Sequence, residues 1–70
     1  MVAFAKRLKE LRVARGVSQA KVAKEIGVSR YAVYAYEKEK SAPSLEGLVA
    51  LADYFGVTVD YLLGHSDTPH

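Results

Sequence analysis

The sequence predicts an all-α fold, a compact bundle of five short helices, and three observations support this prediction. Apolar residues recur at the three- and four-residue spacing of a helix face along most of the 70-residue chain. Glycines separate the periodic segments, and a serine or threonine able to cap a helix follows soon after three of these breaks. The alternation typical of a strand never persists beyond a few residues. A chain of this length has room for one domain, which we place at residues 4–64, followed by a polar tail at 65–70.

The first two helices are predicted from apolar periodicity and from the residues that bound them. The first runs over about residues 3–14, and Gly16 ends it because glycine tolerates a left-handed C-terminal conformation. Its apolar face consists of Phe4, Leu8 and Leu11. Ser18 is then placed to cap a second helix over about residues 19–25.

The remaining three helices follow the same logic. Ser29 is the predicted cap of a third helix that extends to about Lys38. Ser44, after the loop that contains Pro43, caps a fourth helix, and Thr58 caps a short fifth one. The predicted apolar stripe of the fourth helix is Leu45, Leu48, Leu51, Ala52 and Phe55.

Composition excludes several classes of function. Half of the residues are apolar and 26% are charged, which is typical of a globular domain. The chain has no cysteine, so disulfides, thiolate metal sites and cysteine nucleophiles are excluded. The longest apolar run, Leu48 to Ala52, is far too short to span a membrane, and we expect a cytoplasmic protein. We expect no cofactor, metal or small-molecule ligand, since His65 and His70 lie in the tail without a carboxylate cluster.

Charge is distributed unevenly along the chain. Residues 1–40 carry all ten lysines and arginines against four acidic residues, a net charge of +6. Residues 41–70 carry four acidic residues and no lysine or arginine, a net charge of −4. Such asymmetry indicates a polyanionic partner, either nucleic acid or an anionic membrane.

The segment over residues 18–37 carries the most information about function. Two short helices joined by a tight turn that contains Gly27 follow the helix-turn-helix plan. Ala23 is small enough to let the two helices approach, and Val33 is expected to pack inward. The predicted outward face of the third helix consists of Arg30, Tyr31, Tyr34, Ala35 and Lys38. Two tyrosines and two cations are unusual on a solvent-exposed face but ordinary for a helix that reads the major groove of DNA.

Three stretches of the chain form a recognisable pattern: LKELRVARGVSQAKVAKEIGVSRYAVYAYE, the helix entry Pro43-Ser44-Leu45, and LADYFGVTVDYLLG. In this order they resemble the Cro/repressor-type (XRE family) helix-turn-helix regulators. The resemblance covers about residues 4–64. It implies a lambda-repressor-like five-helix bundle that binds double-stranded operator DNA, usually as a homodimer on a palindromic site, and regulates transcription as a repressor.

The resemblance also implies individual roles. The DNA-binding residues that it implies are Ser18, Gln19, Ser29, Arg30, Tyr31, Tyr34, Lys38 and Lys40. Gln19 would contact a phosphate and brace a base contact. Arg30 would make the main specifying contact, because arginine can bind guanine O6 and N7 with two hydrogen bonds. Lys38 and Lys40 would hold phosphates, which positions the complex without specifying sequence.

Arg12 and Glu37 match a partly buried ion pair of the same family, whose implied role is to fix the orientation of the first helix against the third. Three positions depart from the family pattern. Lys21 stands where an acidic capping residue is usual, Glu39 replaces a glycine in the loop after the third helix, and Ala35 lacks a polar side chain. We therefore expect a weaker second-helix cap and a narrow base readout.

Three other classes of function compete with DNA binding. A bundle of this size has little room for a catalytic pocket, so we do not expect an enzyme. The cations of the first helix wrap around it, which argues against a membrane-surface helix. A protein-interaction module, such as an antitoxin or adaptor, remains the alternative.

For the homodimer, the candidate interface residues expected to be exposed are Tyr54, Val59 and Tyr61.

Overall fold

The computed structural model describes residues 2–70, and within that range the secondary structure is entirely helical. The five helices are α1 (Val2–Arg15), α2 (Gln19–Ile26), α3 (Arg30–Glu37), α4 (Leu45–Phe55) and α5 (Val59–Leu63). The predicted all-α bundle is confirmed. None of the helices described over residues 2–70 is long and apolar enough to cross a membrane.

The predicted caps begin the helices α2 to α5. The side-chain oxygens of Ser18, Ser29, Ser44 and Thr58 each accept a hydrogen bond from a backbone N–H three residues later, at 3.0 to 3.1 Å. These bonds satisfy N–H groups that have no partner within the helix, which fixes where each helix begins.

The core lies where all five helices meet. Its largest fully buried side chains are Leu8, Leu51, Leu62, Val22 and Val33. Phe4 and Tyr36 add an edge-to-face aromatic contact with ring centroids 6.3 Å apart, which joins α1 to α3. Ala23 is 2% exposed and lies in the same core, as expected for a small residue between closely packed helices.

The prediction that Leu45 belongs to the buried stripe of α4 is wrong. Its side chain is 83% exposed, and Val49, one turn later, is 49% exposed. With 3.6 residues per turn, Leu45 lies about 70° from the centre of the buried stripe. Because it is also the first residue of the helix, no neighbouring element covers it from that side.

The prediction that Ala35 lies on the exposed face of α3 is also wrong, since it is 3% exposed. The chain after α3 folds back over this position, and the Lys40 N–H donates a hydrogen bond to the Ala35 carbonyl oxygen at 2.9 Å. An alanine side chain is short enough to be covered by this turn.

The expectation that Tyr54, Val59 and Tyr61 are exposed is not met either. All three are half-buried, and Tyr54 and Val59 pack against the core. Cations of α1 cover the two tyrosines. The guanidinium carbon of Arg7 lies 4.1 Å from the ring centroid of Tyr61, and that of Arg15 lies 5.1 Å from that of Tyr54.

Residues 65–70, predicted as a tail beyond the folded domain, pack back onto it. The Arg7 guanidinium donates to the carbonyl oxygen of Tyr61 at 2.7 Å, to that of Ser66, and to Asp67 Oδ1 at 2.9 Å. The Thr58 N–H donates to the Pro69 carbonyl oxygen at 2.9 Å. One arginine of α1 therefore binds both the end of α5 and the segment that follows it.

Candidate nucleic-acid interface

The turn between α2 and α3 determines how the third helix is presented. Gly27 adopts a left-handed conformation with φ +78°, and its N–H donates to the Ala23 carbonyl oxygen at 2.9 Å. The N–H of Val28 donates to the same oxygen at 3.0 Å, which closes the turn. The left-handed conformation has little energetic cost for glycine, which has no Cβ. The turn leads directly into the cap of α3.

Four of the predicted DNA-binding residues line one shallow cleft between α2 and α3. They are Gln19, Arg30, Tyr31 and Tyr34. Arg30 is exposed at the first position of α3, and Tyr31 beside it is 64% exposed. Tyr34, one turn later, is half-buried. The cleft thus combines a guanidinium, an amide and two phenols.

The predicted lysines lie next to this cleft. Lys38 and Lys40 are exposed, and their Nζ atoms lie 6.0 and 5.7 Å from the ring centroid of Tyr34. Between them, Glu39 has φ +60°, a left-handed conformation at the position where the family pattern has glycine. A side chain is strained in that conformation, since its Cβ crowds the following carbonyl oxygen.

The predicted serines act first as caps. Ser18 and Ser29 accept hydrogen bonds from the backbone N–H groups of Lys21 and Ala32. Both residues are exposed, and each hydroxyl retains its own proton for donation to an acceptor. Lys21 stands where the family pattern has an acidic residue, and it forms an exposed ion pair with Glu25 at 2.8 Å. This ion pair raises the pKa of Lys21 and lowers that of Glu25.

Arg12 and Glu37 form a bidentate ion pair that connects α1 to the end of α3. Arg12 Nε lies 2.6 Å from Glu37 Oε2, and one terminal nitrogen lies 3.1 Å from Oε1. Only 3% of the Glu37 side chain is exposed, against 16% of that of Arg12. The hydrogen bond to Glu37 raises the pKa of Arg12 although burial opposes this, so the guanidinium stays charged.

The same carboxylate also binds a residue of the cleft. Gln19 Nε2 donates to Glu37 Oε1 at 3.2 Å, so that Glu37 accepts bonds from both α1 and α2. Sequence reasoning missed this link, because the two residues are 18 positions apart and no periodicity connects them. With Nε2 bound in this way, Gln19 keeps its carbonyl oxygen and its second amide proton for a partner in the cleft.

Among residues 2–70, no group of three or more histidine, cysteine, aspartate or glutamate side chains is arranged to hold an ion.

Comparisons with known proteins agree with this geometry. The helix-turn-helix family matches over residues 8–62. The chain is 38% identical over 66 residues to YobD, an HTH-type transcriptional regulator of Bacillus subtilis, covering 94% of this chain and 59% of that protein. It is 38% identical over 65 residues to the phage CTXphi transcriptional repressor RstR of Vibrio cholerae, covering 93% and 59% respectively.

A solved structure shares the fold. The P22 c2 repressor, in complex with a synthetic operator, superimposes with a TM-score of 0.83 at 29% identity, covering 89% of this chain and 94% of that one. The chain spans just under two thirds of the length of both curated relatives, at 59% of each.

Proposed function

Since the chain belongs to the helix-turn-helix family, we propose that it binds double-stranded DNA sequence-specifically and acts as a transcriptional repressor. The observation that carries the proposal is the exposed cleft in which Gln19, Arg30 and Tyr31 meet at the start of α3, flanked by Lys38 and Lys40. The repressors to which the chain is similar support the direction of regulation. The proposal assigns the protein no catalytic activity and implies that it works in the cytoplasm.

Base readout is assigned to the first residues of α3. The major groove of B-DNA admits an α-helix, and the residues at the N-terminal end of such a helix reach the base edges. Arg30 is exposed at this end and forms no ion pair within residues 2–70, so its guanidinium is available to bind a guanine. Tyr31 has an exposed ring suited to contact with a thymine methyl group.

Phosphate binding is assigned to groups on either side of the reading residues. Lys38 and Lys40 supply cations beyond the end of α3, and Gln19 supplies an amide proton at the start of α2. The hydroxyls of Ser18 and Ser29 lie at the N-termini of the two helices, where backbone N–H groups also favour an anion. These contacts would fix the register of the protein on the duplex without reading its sequence.

The assembly that fits this interface is a homodimer on a palindromic operator. One copy presents only two or three reading residues, and two copies about 34 Å apart would double the number of base contacts. Residues 41–70 carry no lysine or arginine and would be repelled by phosphate, so they suit a position away from the duplex. The exposed large apolar side chains there are Leu45 and Val49, which we propose for the contact between copies in place of the half-buried Tyr54, Val59 and Tyr61.

The decisive experiment is selection of bound sequences from random duplex DNA, followed by titration of the selected site over a range of salt concentrations. Arg30→Ala should cost about 1–3 kcal/mol of binding free energy and relax preference at one base position. Lys38→Ala should weaken binding to all sequences alike and reduce the salt slope by about one.

Lys9→Ala is the matched control, because Lys9 lies beside Val13 on the outer face of α1, outside the cleft. It should leave base preference unchanged. Duplex binding that is absent, or that shows no dependence on salt, would refute the proposal and favour a protein-interaction module with the same fold.

A further inference from the structure

We propose that Tyr34 is a positioning residue of the DNA interface, whose ring holds the two phosphate-binding lysines and the base-reading Tyr31 in one arrangement. The inference rests on the proposed function and adds a role that does not follow from the sequence pattern. Tyr34 need not make the specifying contact itself. It would act through the residues that surround its ring.

The geometry places Tyr34 at the centre of this cluster. The Nζ atoms of Lys38 and Lys40 lie 6.0 and 5.7 Å from its ring centroid. The ring of Tyr31 lies 5.8 Å away, centroid to centroid, at an interplanar angle of 39°. Tyr34 also lines the cleft that contains Gln19 and Arg30. One half-buried side chain therefore borders both the phosphate-binding and the base-reading groups.

The positions of the two lysine side chains depend on this ring, because the described structure shows few other contacts for their ammonium groups. Within residues 2–70, neither Lys38 nor Lys40 takes part in an ion pair or a side-chain hydrogen bond. The face of an aromatic ring attracts a cation within about 6 Å, and both ammonium groups lie at that limit. Such an attraction is weak, but it biases long flexible side chains and reduces the entropy lost when they bind phosphate.

The backbone after α3 places the two lysines next to the ring. The N–H groups of Lys38 and Lys40 donate to the carbonyl oxygens of Tyr34 and Ala35, at 3.0 and 2.9 Å. The left-handed residue Glu39 makes this reversal possible. Glu39 lines a neighbouring depression with Phe4, Tyr36 and Lys40, and it is not among the residues that line the cleft.

The contact with Tyr31 extends the same argument to base readout. Tyr31 is 64% exposed, and the packing of its ring against Tyr34 restricts the side-chain rotamers it can adopt. A ring held in one orientation loses less entropy on binding, which favours contact, and it fits only the bases that suit this orientation, which favours discrimination. Removal of the Tyr34 ring should therefore affect two properties at once, the salt dependence of binding and the preference at the base that Tyr31 contacts.

The test compares Tyr34→Leu with Tyr34→Phe on the selected duplex. The leucine variant should lower the salt slope by about one, weaken binding by about three- to tenfold at moderate salt, and relax one base preference. The phenylalanine variant keeps the ring and should stay within about twofold of wild type on each measure. If it loses as much as the leucine variant, the hydroxyl rather than the ring is responsible and the inference is wrong.

A double-mutant cycle separates positioning from a merely structural role. If Tyr34 positions Lys40, Lys40→Met should cost clearly less affinity in the Tyr34→Leu background than in wild type. Additive losses would overturn the inference. Wild-type protein offers an independent check, since the ε-methylene protons of Lys38 and Lys40 should show upfield ring-current shifts in NMR spectra, and normal shifts would overturn the inference as well. Wild-type protein that fails to bind duplex DNA in a salt-dependent manner would refute the proposed function itself.

Discussion

Glu37→Gln removes the negative charge that Arg12 faces, and it tests whether the ion pair between α1 and α3 is structural. The substitution keeps the size of the side chain and one carbonyl acceptor. It leaves Arg12, whose side chain is only 16% exposed, without a counter-charge. Breaking a buried pair by removing one partner costs about 3–5 kcal/mol.

The expected loss lies at or just below the lower end of that range. Arg12 keeps a hydrogen bond to the Val17 carbonyl oxygen at 3.1 Å, and the new amide can still accept one bond. We therefore expect the free energy of unfolding to fall by about 2–3 kcal/mol. The total free energy of unfolding of a 70-residue domain is roughly 4–10 kcal/mol, so the loss should be visible as a large fall in the urea midpoint.

The double variant Arg12→Met, Glu37→Leu provides the control. It removes both buried charges, and its stability should return to within about 1 kcal/mol of wild type, because neither desolvation penalty remains. Its net charge equals that of wild type. Gln19, however, loses the acceptor that binds its Nε2 at 3.2 Å, so affinity for the selected duplex should be several-fold lower than that of wild type.

Two results would refute this reasoning. A loss below about 1 kcal/mol for Glu37→Gln would mean that solvent reaches the pair and that its burial has little energetic consequence. Full recovery of DNA affinity in the double variant would mean that the bond between Glu37 and Gln19 does not orient the amide for binding.

Three further predictions test other parts of the structure. Glu39→Gly should raise the free energy of unfolding by up to about 1 kcal/mol by relieving the left-handed backbone at φ +60°, and should tighten DNA binding, whereas Glu39→Gln should tighten binding alone; urea titration and duplex titration distinguish the two effects. Gly64→Ala should destabilise more than Gly56→Ala, because both have positive φ but an added Cβ at Gly64 would lie 2.5 Å from the Ala3 Cβ, while that at Gly56 meets open space. Equal losses of about 1 kcal/mol would show that Ala3 simply moves aside. Leu45→Gln should leave stability within about 0.5 kcal/mol, since the side chain is 83% exposed, but should reduce cooperative binding to a palindrome relative to a single half-site. Unchanged cooperativity would exclude Leu45 from the contact between copies.

The fold could be predicted well because its boundaries are encoded locally. Each cap acts on a backbone N–H three residues away, and each terminating glycine acts on its own conformation. The helix bounds predicted from these signals agree with the structure to within one or two residues. The grouping of Gln19, Arg30, Tyr31 and Tyr34 in one cleft also follows from local geometry, because the turn at Gly27 fixes α3 against α2.

Exposure was harder to predict because it depends on elements distant in sequence. Tyr61 was expected to be exposed, and its ring is covered by Arg7, 54 residues earlier. The same arginine binds the C-terminal segment, which was expected to be a free tail. Periodicity alone predicts that Leu45 belongs to the buried stripe, although it lies at the edge of that stripe and is the first residue of α4.

The distribution of charge shows most clearly what a sequence count leaves out. The net charge of +6 over residues 1–40 treats every cation as available to a polyanion. The three arginines of α1 are not available to a polyanion in this way, because they bind within the protein. Arg7 and Arg15 donate to carbonyl oxygens at the ends of α5 and α4, and Arg12 binds Glu37. A planar guanidinium with several donors suits such internal bonds better than an ammonium group does. Of the seven other cations, Arg30 lines the α2–α3 cleft and Lys38 and Lys40 lie beside it, so the salt dependence of binding should reflect mainly these three rather than the whole basic half of the chain.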